Sequence, residues 1–240
     1  MEFLYKFTGP KYNNTLGRFD SFNVLSKNQL WFCPASKQDN PDDLRLKLDE
    51  NSIISHSYQE AKAYNSDLTK EKFQEHWDEL KQAILDGIED TRDHTLLCSF
   101  TKELSSFMWE KYAERGSGFC CIYLRNPLIQ YLDKQEIPTH DVRYGDYCVY
   151  KSFSLEELQK NAYPLCFTKA PSYMNEHEVR SMIFTKENLK CNGRPYQAIP
   201  PIQILYTQYT DSSLLKLLNE YCIEWHIPLI KANYKRTENA

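Results

Sequence analysis

The chain has 240 residues, 41% of them apolar and 26% charged, a balance that fits a globular domain with a sizeable core and excludes a disordered or fibrous one. A formal net charge of −4 and a pI of about 5.9 argue against a nucleic-acid partner, which needs a basic surface. No run approaches the roughly 18 apolar residues of a membrane-spanning helix, and the seven glycines form no glycine-rich phosphate loop.

Leu4-Tyr5-Lys6-Phe7 reads as a first short strand that carries a cation. Residues 35–70 are polar and hold the turn signal Asn40-Pro41-Asp42-Asp43, so a mobile loop is expected there within a single domain over 1–240. In 71–90 the residues Phe73, Trp77, Leu80, Ile84 and Ile88 recur at helical spacing, with Thr69 as the N-cap. Strand-like runs follow at 95–100, 118–124, 142–150, 165–167, 178–184 and 202–206, rich in Val, Ile, Tyr, Phe and Cys. A helix over 104–114 falls between the first two, with Leu104, Met108 and Tyr112 on one face. The capping-box spacing of Ser154 and Glu157 predicts a further short helix. A last helix spans 212–225 with Leu214, Leu217, Leu218, Tyr221 and Trp225 as its apolar stripe, and 227–230 is a candidate final strand. Strands that do not alternate regularly with long helices point to an α+β fold.

Seven of the eight cysteines, Cys33, Cys98, Cys120, Cys121, Cys148, Cys166 and Cys222, sit in apolar runs, and Cys191 looks loop-like. Buried thiols behave as small hydrophobes. With no Cys-x-x-Cys pair there is neither a zinc signature nor a disulfide framework, and a reducing compartment is expected. No metal site is predicted. A thiol enzyme built on Cys120 or Cys121 lacks a nearby His, and a magnesium site at Asp39, Asp42 and Asp43 reads better as a solvated acidic loop.

Three segments carry candidate chemistry: the strand with Tyr5 and Lys6, the strand end Ser99-Phe100-Thr101, and Tyr173 followed by Glu176-His177-Glu178-Val179-Arg180. On a strand, Glu176 and Glu178 fall on one face and repel, which suits the border of a cleft for a partly cationic group. The plainer alternative is a solvated edge strand on which Arg180 pairs with Glu178.

Cys98-Ser99-Phe100, Met108-Trp109-Glu110-Lys111-Tyr112-Ala113, Gly118-Phe119-Cys120 and Glu176-x-Glu178-x-Arg180 together resemble the bacterial domain-of-unknown-function family number twenty-nine seventy-one. That resemblance carries no activity. The order of strand cation, Ser-x-Thr before a helix, and late Glu-x-Glu is also similar to ADP-ribosyltransferases of the Arg-Ser-Glu class. This second resemblance implies a mixed, mainly antiparallel sheet core with flanking helices and NAD as substrate. It implies Glu178 as the catalytic carboxylate, Ser99 holding it, Glu176 polarising the acceptor and Tyr173 in the acceptor loop. Lys6, in the place of an arginine, with Arg18 as the alternative, would contact the pyrophosphate, and Tyr5, Phe100, Thr101 and Phe119 would line the dinucleotide site. Some 79 residues separate Ser99 from Glu178, so an insertion around 126–160 is expected. The acceptor is an unidentified macromolecule. An NAD glycohydrolase and a non-enzymatic nucleotide- or protein-binding module are the alternatives. Without a cleavable signal peptide, a cytoplasmic protein, or an effector delivered into another cell, is expected.

Overall fold

The structure is a computed structural model that describes residues 1–38, 44, 47–145, 149–150, 165–185 and 193–236. The first strands are β1 (Phe3–Thr8), β2 (Tyr12–Asn13), β3 (Arg18–Phe19), β4 (Gln29–Pro34) and β5 (Lys47–Leu48), with helix α1 (Asp20–Leu25) before β4. Two helices, α2 (Glu50–Tyr64) and α3 (Lys70–His94), lead into β6 (Thr95–Thr101). Then come α4 (Ser106–Tyr112), β7 (Phe119–Leu124), α5 (Arg125–Asp133), β8 (Thr139–Asp141), β9 (Arg143–Tyr144), β10 (Val149–Tyr150) and β11 (Thr168–Lys169). A 3₁₀ turn (Pro171–Glu176) enters β12 (Glu178–Phe184), and β13 (Arg194–Gln197), β14 (Gln203–Tyr206), α6 (Ser212–Trp225) and β15 (Leu229–Lys231) complete the order.

Nine of these strands form one mixed, mostly antiparallel sheet, in which β14 and β15 are the parallel pair; the separate pairs β5–β10 and β9–β11 are parallel too. Its shape follows from β6. One edge of β6 is taken along its whole length by β12, from Thr95↔Phe184 to Thr101↔Glu178. A strand has only two edges, so β4 and β1 must share the other. β4 pairs at Leu96 and Leu97, and β1 pairs at Thr101. The sheet therefore forks at Cys98, Ser99 and Phe100. One arm continues as β4–β13, the other as β1–β7–β14–β15.

Strand alternation sends Leu4, Cys121, Tyr123, Cys98 and Phe100 to one face, where α6 buries Leu214, Leu218 and Tyr221 and α5 buries Leu128 and Leu132. Each fully buried leucine contributes about 1.5–3 kcal/mol. The opposite face carries Phe7, Cys120, Ile122 and Leu205 under Met108 and Trp109 of α4. The last helix matches its predicted span, and Asp211 caps it through the backbone N–H groups of Ser213 and Leu214. Trp225, expected in its buried stripe, is 43% exposed at the last helical position, next to the left-handed C-cap His226.

The expected polar loop over 35–70 is corrected: much of it is α2, capped by Asp49 and docked on α3. Its burial rests on Ile53 and on a Tyr58–Phe73 edge contact, too few apolar residues to show as a periodic stripe. The strand expected at 165–167 is a helical turn, and strand geometry begins only at Thr168. Thr69 does cap α3, by accepting from the N–H of Lys72. The helix expected at Ser154 and the acidic residues Asp39, Asp42 and Asp43 lie outside the described residues. No helix among the described residues is long and apolar enough to cross a membrane.

Candidate functional site

The fork in the sheet opens a cleft of about 980 Å³. Lys6 sits at its apex, where Nζ donates to the carbonyl of Ser99 at 2.8 Å and lies 5.6 Å from the ring centre of Phe100. Ser99 lies between the last β4 pairing and the β1 pairing, so this side-chain bond ties β1 to β6 where the backbone ladder is open. Lys6, expected to contact phosphate, lines the cleft with one of its three ammonium donors on the scaffold. Arg18 lies at the cleft wall, about half exposed, with Nε 3.3 Å from Asp20.

Glu178 is the first residue of β12, and its carboxylate accepts four hydrogen bonds. Oε1 takes Ser99 Oγ at 2.5 Å and Arg180 Nε at 2.8 Å. Oε2 takes Lys169 Nζ at 2.9 Å and Arg180 Nη2 at 3.2 Å. The ladder register sets the Ser99 bond, because Arg180 pairs with Ser99 and Glu178 with Thr101, which puts all four side chains on one face. The backbone N–H of Glu178 donates to Tyr144 Oη at 2.7 Å.

Glu176 was expected on the same strand face as Glu178, and this is corrected. It ends the 3₁₀ turn, and His177 follows in the left-handed region at φ 42°. That backbone costs a non-glycine residue about 1–2 kcal/mol, and it turns Glu176 back beside Glu178. Lys169 Nζ bridges the two, 2.6 Å from Glu176 Oε2 and 2.9 Å from Glu178 Oε2. Glu176 Oε1 also accepts from Lys111 Nζ at 2.6 Å and from Tyr112 Oη at 2.5 Å. Tyr173 covers the group, with Lys169 Nζ 4.7 Å and Lys111 Nζ 5.2 Å from its ring centre.

Both carboxylates are buried, and burial alone would raise their pKa values. The charges of Arg180 and Lys169, with the hydrogen bonds from Arg180 and Ser99, overturn this and hold Glu178 far below the usual carboxylate range. Hydrogen bonds from Lys111 and Lys169 do the same, less strongly, for Glu176. Burial pushes the Tyr144 phenol up to about 12. Glu178 pairs with Arg180, as the plainer sequence reading has it, but on an interior strand between β6 and β8, with Arg180 only 1% exposed.

Tyr5, Phe100 and Phe119 line the cleft, the two phenylalanines as part of the core. Thr101 does not. It is fully buried, and its hydroxyl accepts from the N–H of Glu103 in the turn after β6. Tyr112, read from the sequence as part of a packed helix face, packs against the Met108 cluster and also turns its hydroxyl to Glu176. Lys111, Tyr144 and Lys169 were not singled out. Lys111 stands inside the Met-Trp-Glu-Lys-Tyr-Ala segment, a usable signal, whereas nothing local distinguishes Lys169 or Tyr144. Cys120 and Cys121 are buried in β7 and burial drives both thiols up, which removes the thiolate that a nucleophile needs.

Among the described residues, six cationic side chains line the cleft (Lys6, Lys11, Arg18, Lys37, Lys111 and Lys169) against three carboxylates (Asp20, Glu176 and Glu178). An acidic protein thus gathers positive charge among the described residues of this hollow, an arrangement that favours negative charge there. The chain matches no protein-family model, no curated protein and no solved structure.

Proposed function

We propose that the chain is an NAD-dependent ADP-ribosyltransferase with the fork cleft as its dinucleotide site. The observation that carries the reading is the Ser99–Glu178 pair on the wall of a cation-lined cleft. The pyrophosphate lies against Lys11 and Arg18, which face the cleft while Lys6 holds Ser99. The ribose of the nicotinamide half lies at Glu178. The bond from ribose C1′ to nicotinamide breaks, and its electron pair leaves with nicotinamide. Glu178 stabilises the positive charge that develops on the ribose. The acceptor's lone pair then forms the new bond to C1′, and its proton is released on the side of Glu176.

One observation favours the alternative of a nucleotide-binding module without turnover. The four hydrogen bonds on Glu178 occupy its acceptor sites, so a ribose hydroxyl has to displace one partner.

The test is to incubate the protein with NAD and cell lysate while following nicotinamide release and transfer of labelled ADP-ribose, beside Glu178→Ala and Ser99→Ala. Labelling that is lost in both variants supports the transferase. Release without labelling indicates a glycohydrolase. Saturable NAD binding by calorimetry without turnover indicates the binding module, and an absence of binding and turnover alike rejects the dinucleotide site.

A further inference from the structure

We infer that Lys169 is a positioning residue that holds Glu176 and Glu178 as one pair, and that it is the partner a ligand hydroxyl displaces at Glu178 Oε2. The inference rests on reading the cleft as a dinucleotide site.

Four donors reach the Glu178 carboxylate, and three of them belong to the β6–β12 ladder: Ser99 Oγ and the two Arg180 nitrogens. That ladder runs the full seven residues of both strands, so these three donors are as rigid as the sheet. Arg180 is anchored further by donating to the carbonyl of Cys166 at 2.9 Å. Lys169 comes from elsewhere. It lies on β11, a two-residue strand whose ladder partner among the described residues is the two-residue β9. Of the four donors it is the one attached to the least extensive element, and so the one that moves at least cost.

Arg180 Nη2 has the longer bond to Oε2, at 3.2 Å, but its guanidinium also holds Oε1 and the Cys166 carbonyl, whereas Lys169 has a second carboxylate to keep. Lys169 Nζ is 2.6 Å from Glu176 and 2.9 Å from Glu178. On leaving Glu178 the ammonium keeps its shorter bond to Glu176 and the face of Tyr173, so displacement is a small pivot and not the exposure of an unpaired charge. The register Lys169↔Tyr144 sets Lys169 beside the tyrosine that accepts the N–H of Glu178. The β9–β11 pair therefore approaches Glu178 at two points and carries the movable donor.

The groups facing the carboxylates are few. Glu178 meets Arg180 on its own strand, Ser99 from β6, Lys169 from β11 and Tyr144 from β9. Glu176 meets Lys111 and Tyr112 from α4 and Lys169 from β11. Lys169 alone touches both carboxylates. Removing it weakens proton release from the two together, while each keeps its other partners.

The experiment uses Lys169→Met, which keeps the side-chain length without the charge, and Lys169→Arg, which keeps the charge. Side-chain carboxyl carbons of glutamate are titrated by NMR and assigned with Glu176→Gln and Glu178→Gln. In the parent, the Lys169 ammonium resonance is followed as NAD or its 2′-deoxy analogue is added. The expected results are a carboxylate titration at least one pH unit higher in Lys169→Met, its return in Lys169→Arg, and a Lys169 resonance that moves with NAD but not with the deoxy analogue. Turnover, where present, should fall at least tenfold in Lys169→Met with KM for NAD changed less than about threefold. A titration unmoved in Lys169→Met overturns the holding role, whatever NAD does. NAD binding that leaves the Lys169 resonance unmoved overturns the displacement. If the parent binds no NAD, the dinucleotide reading and the displacement fail together, and the titration decides the holding role by itself. Should Lys169→Met fail to fold, Lys169→Arg decides: a carboxylate titration that departs from the parent despite the retained charge overturns the inference.

Discussion

Replacing Glu178 with Gln removes one negative charge from a buried cluster and leaves its shape almost intact. Around the site, Glu176 would then be the carboxylate left among Lys111, Lys169 and Arg180, and it contacts the two lysines. The Arg180 and Lys169 side chains are 1% and 7% exposed, so water cannot take over the lost interaction. Breaking a buried ion pair by removing one partner costs about 3–5 kcal/mol. The Gln carbonyl still accepts from Arg180 and Ser99, which places this substitution near the lower end, about 3 kcal/mol. For a chain of this size that is a fall in Tm of roughly 6–12 °C. The assay is thermal and urea unfolding followed by circular dichroism, with Arg180→Met and the double variant completing a cycle. The double variant should regain at least about 1 kcal/mol over the sum of the two single losses, because both members of the ion pair are then removed together. A Glu178→Gln protein within about 1 kcal/mol of the parent, or a cycle with no coupling, would refute the reasoning: the four hydrogen bonds would then not carry the electrostatics assigned to them.

Two further outcomes are expected. Glu178 and Glu176 both have folded pKa values below the ordinary 4.5, so the unfolded chain takes up protons first as the pH falls. Their contribution is fully present above about pH 5, where the unfolded carboxylates are ionised too, and is lost progressively below it. Urea midpoints should fall more steeply with acid in the parent than in the double variant, and parallel slopes would count against the cluster as the source. At Gly118, an added Cβ would lie 1.9 Å from the carbonyl oxygen of Thr8 and 2.8 Å from Cα of Gly9, both backbone atoms. Gly118→Ala should therefore force β1 and β7 apart at a cost of about 2–4 kcal/mol. Gly87→Ala, with nothing within 4 Å in the middle of α3, should stabilise by about 0.5–1 kcal/mol in the same urea assay.

Periodicity and capping chemistry are local properties, and where they are strong the sequence by itself determined the element. The last helix begins after Asp211 because an aspartate side chain satisfies the first free N–H groups, and Thr69 does the same for α3. Alternating Cys, Phe, Val and Ile marked β6, β7 and β12 for the same local reason, and the α+β class followed. Ser99 and Glu178 were legible as candidates, and the structure brings them into contact across the ladder.

The tertiary structure alone decided the rest. α2 shows no strong stripe, and its burial against α3 rests on Ile53 and on Tyr58 meeting Phe73, which a single segment does not reveal. The fork is a property of three strands competing for two edges of β6, so no local pattern encodes it. Strand position says nothing about which carbonyl lies 2.8 Å from the Lys6 ammonium, so its bond to Ser99 was not legible. Glu176 and Glu178 meet through a left-handed His177 and a lysine on a separate strand, not through strand alternation. Lys169 carries no sequence signal because a lone lysine is ordinarily a solvated cation. Only when the folded chain encloses it between two carboxylates does the cost of desolvation make its place in the site definite.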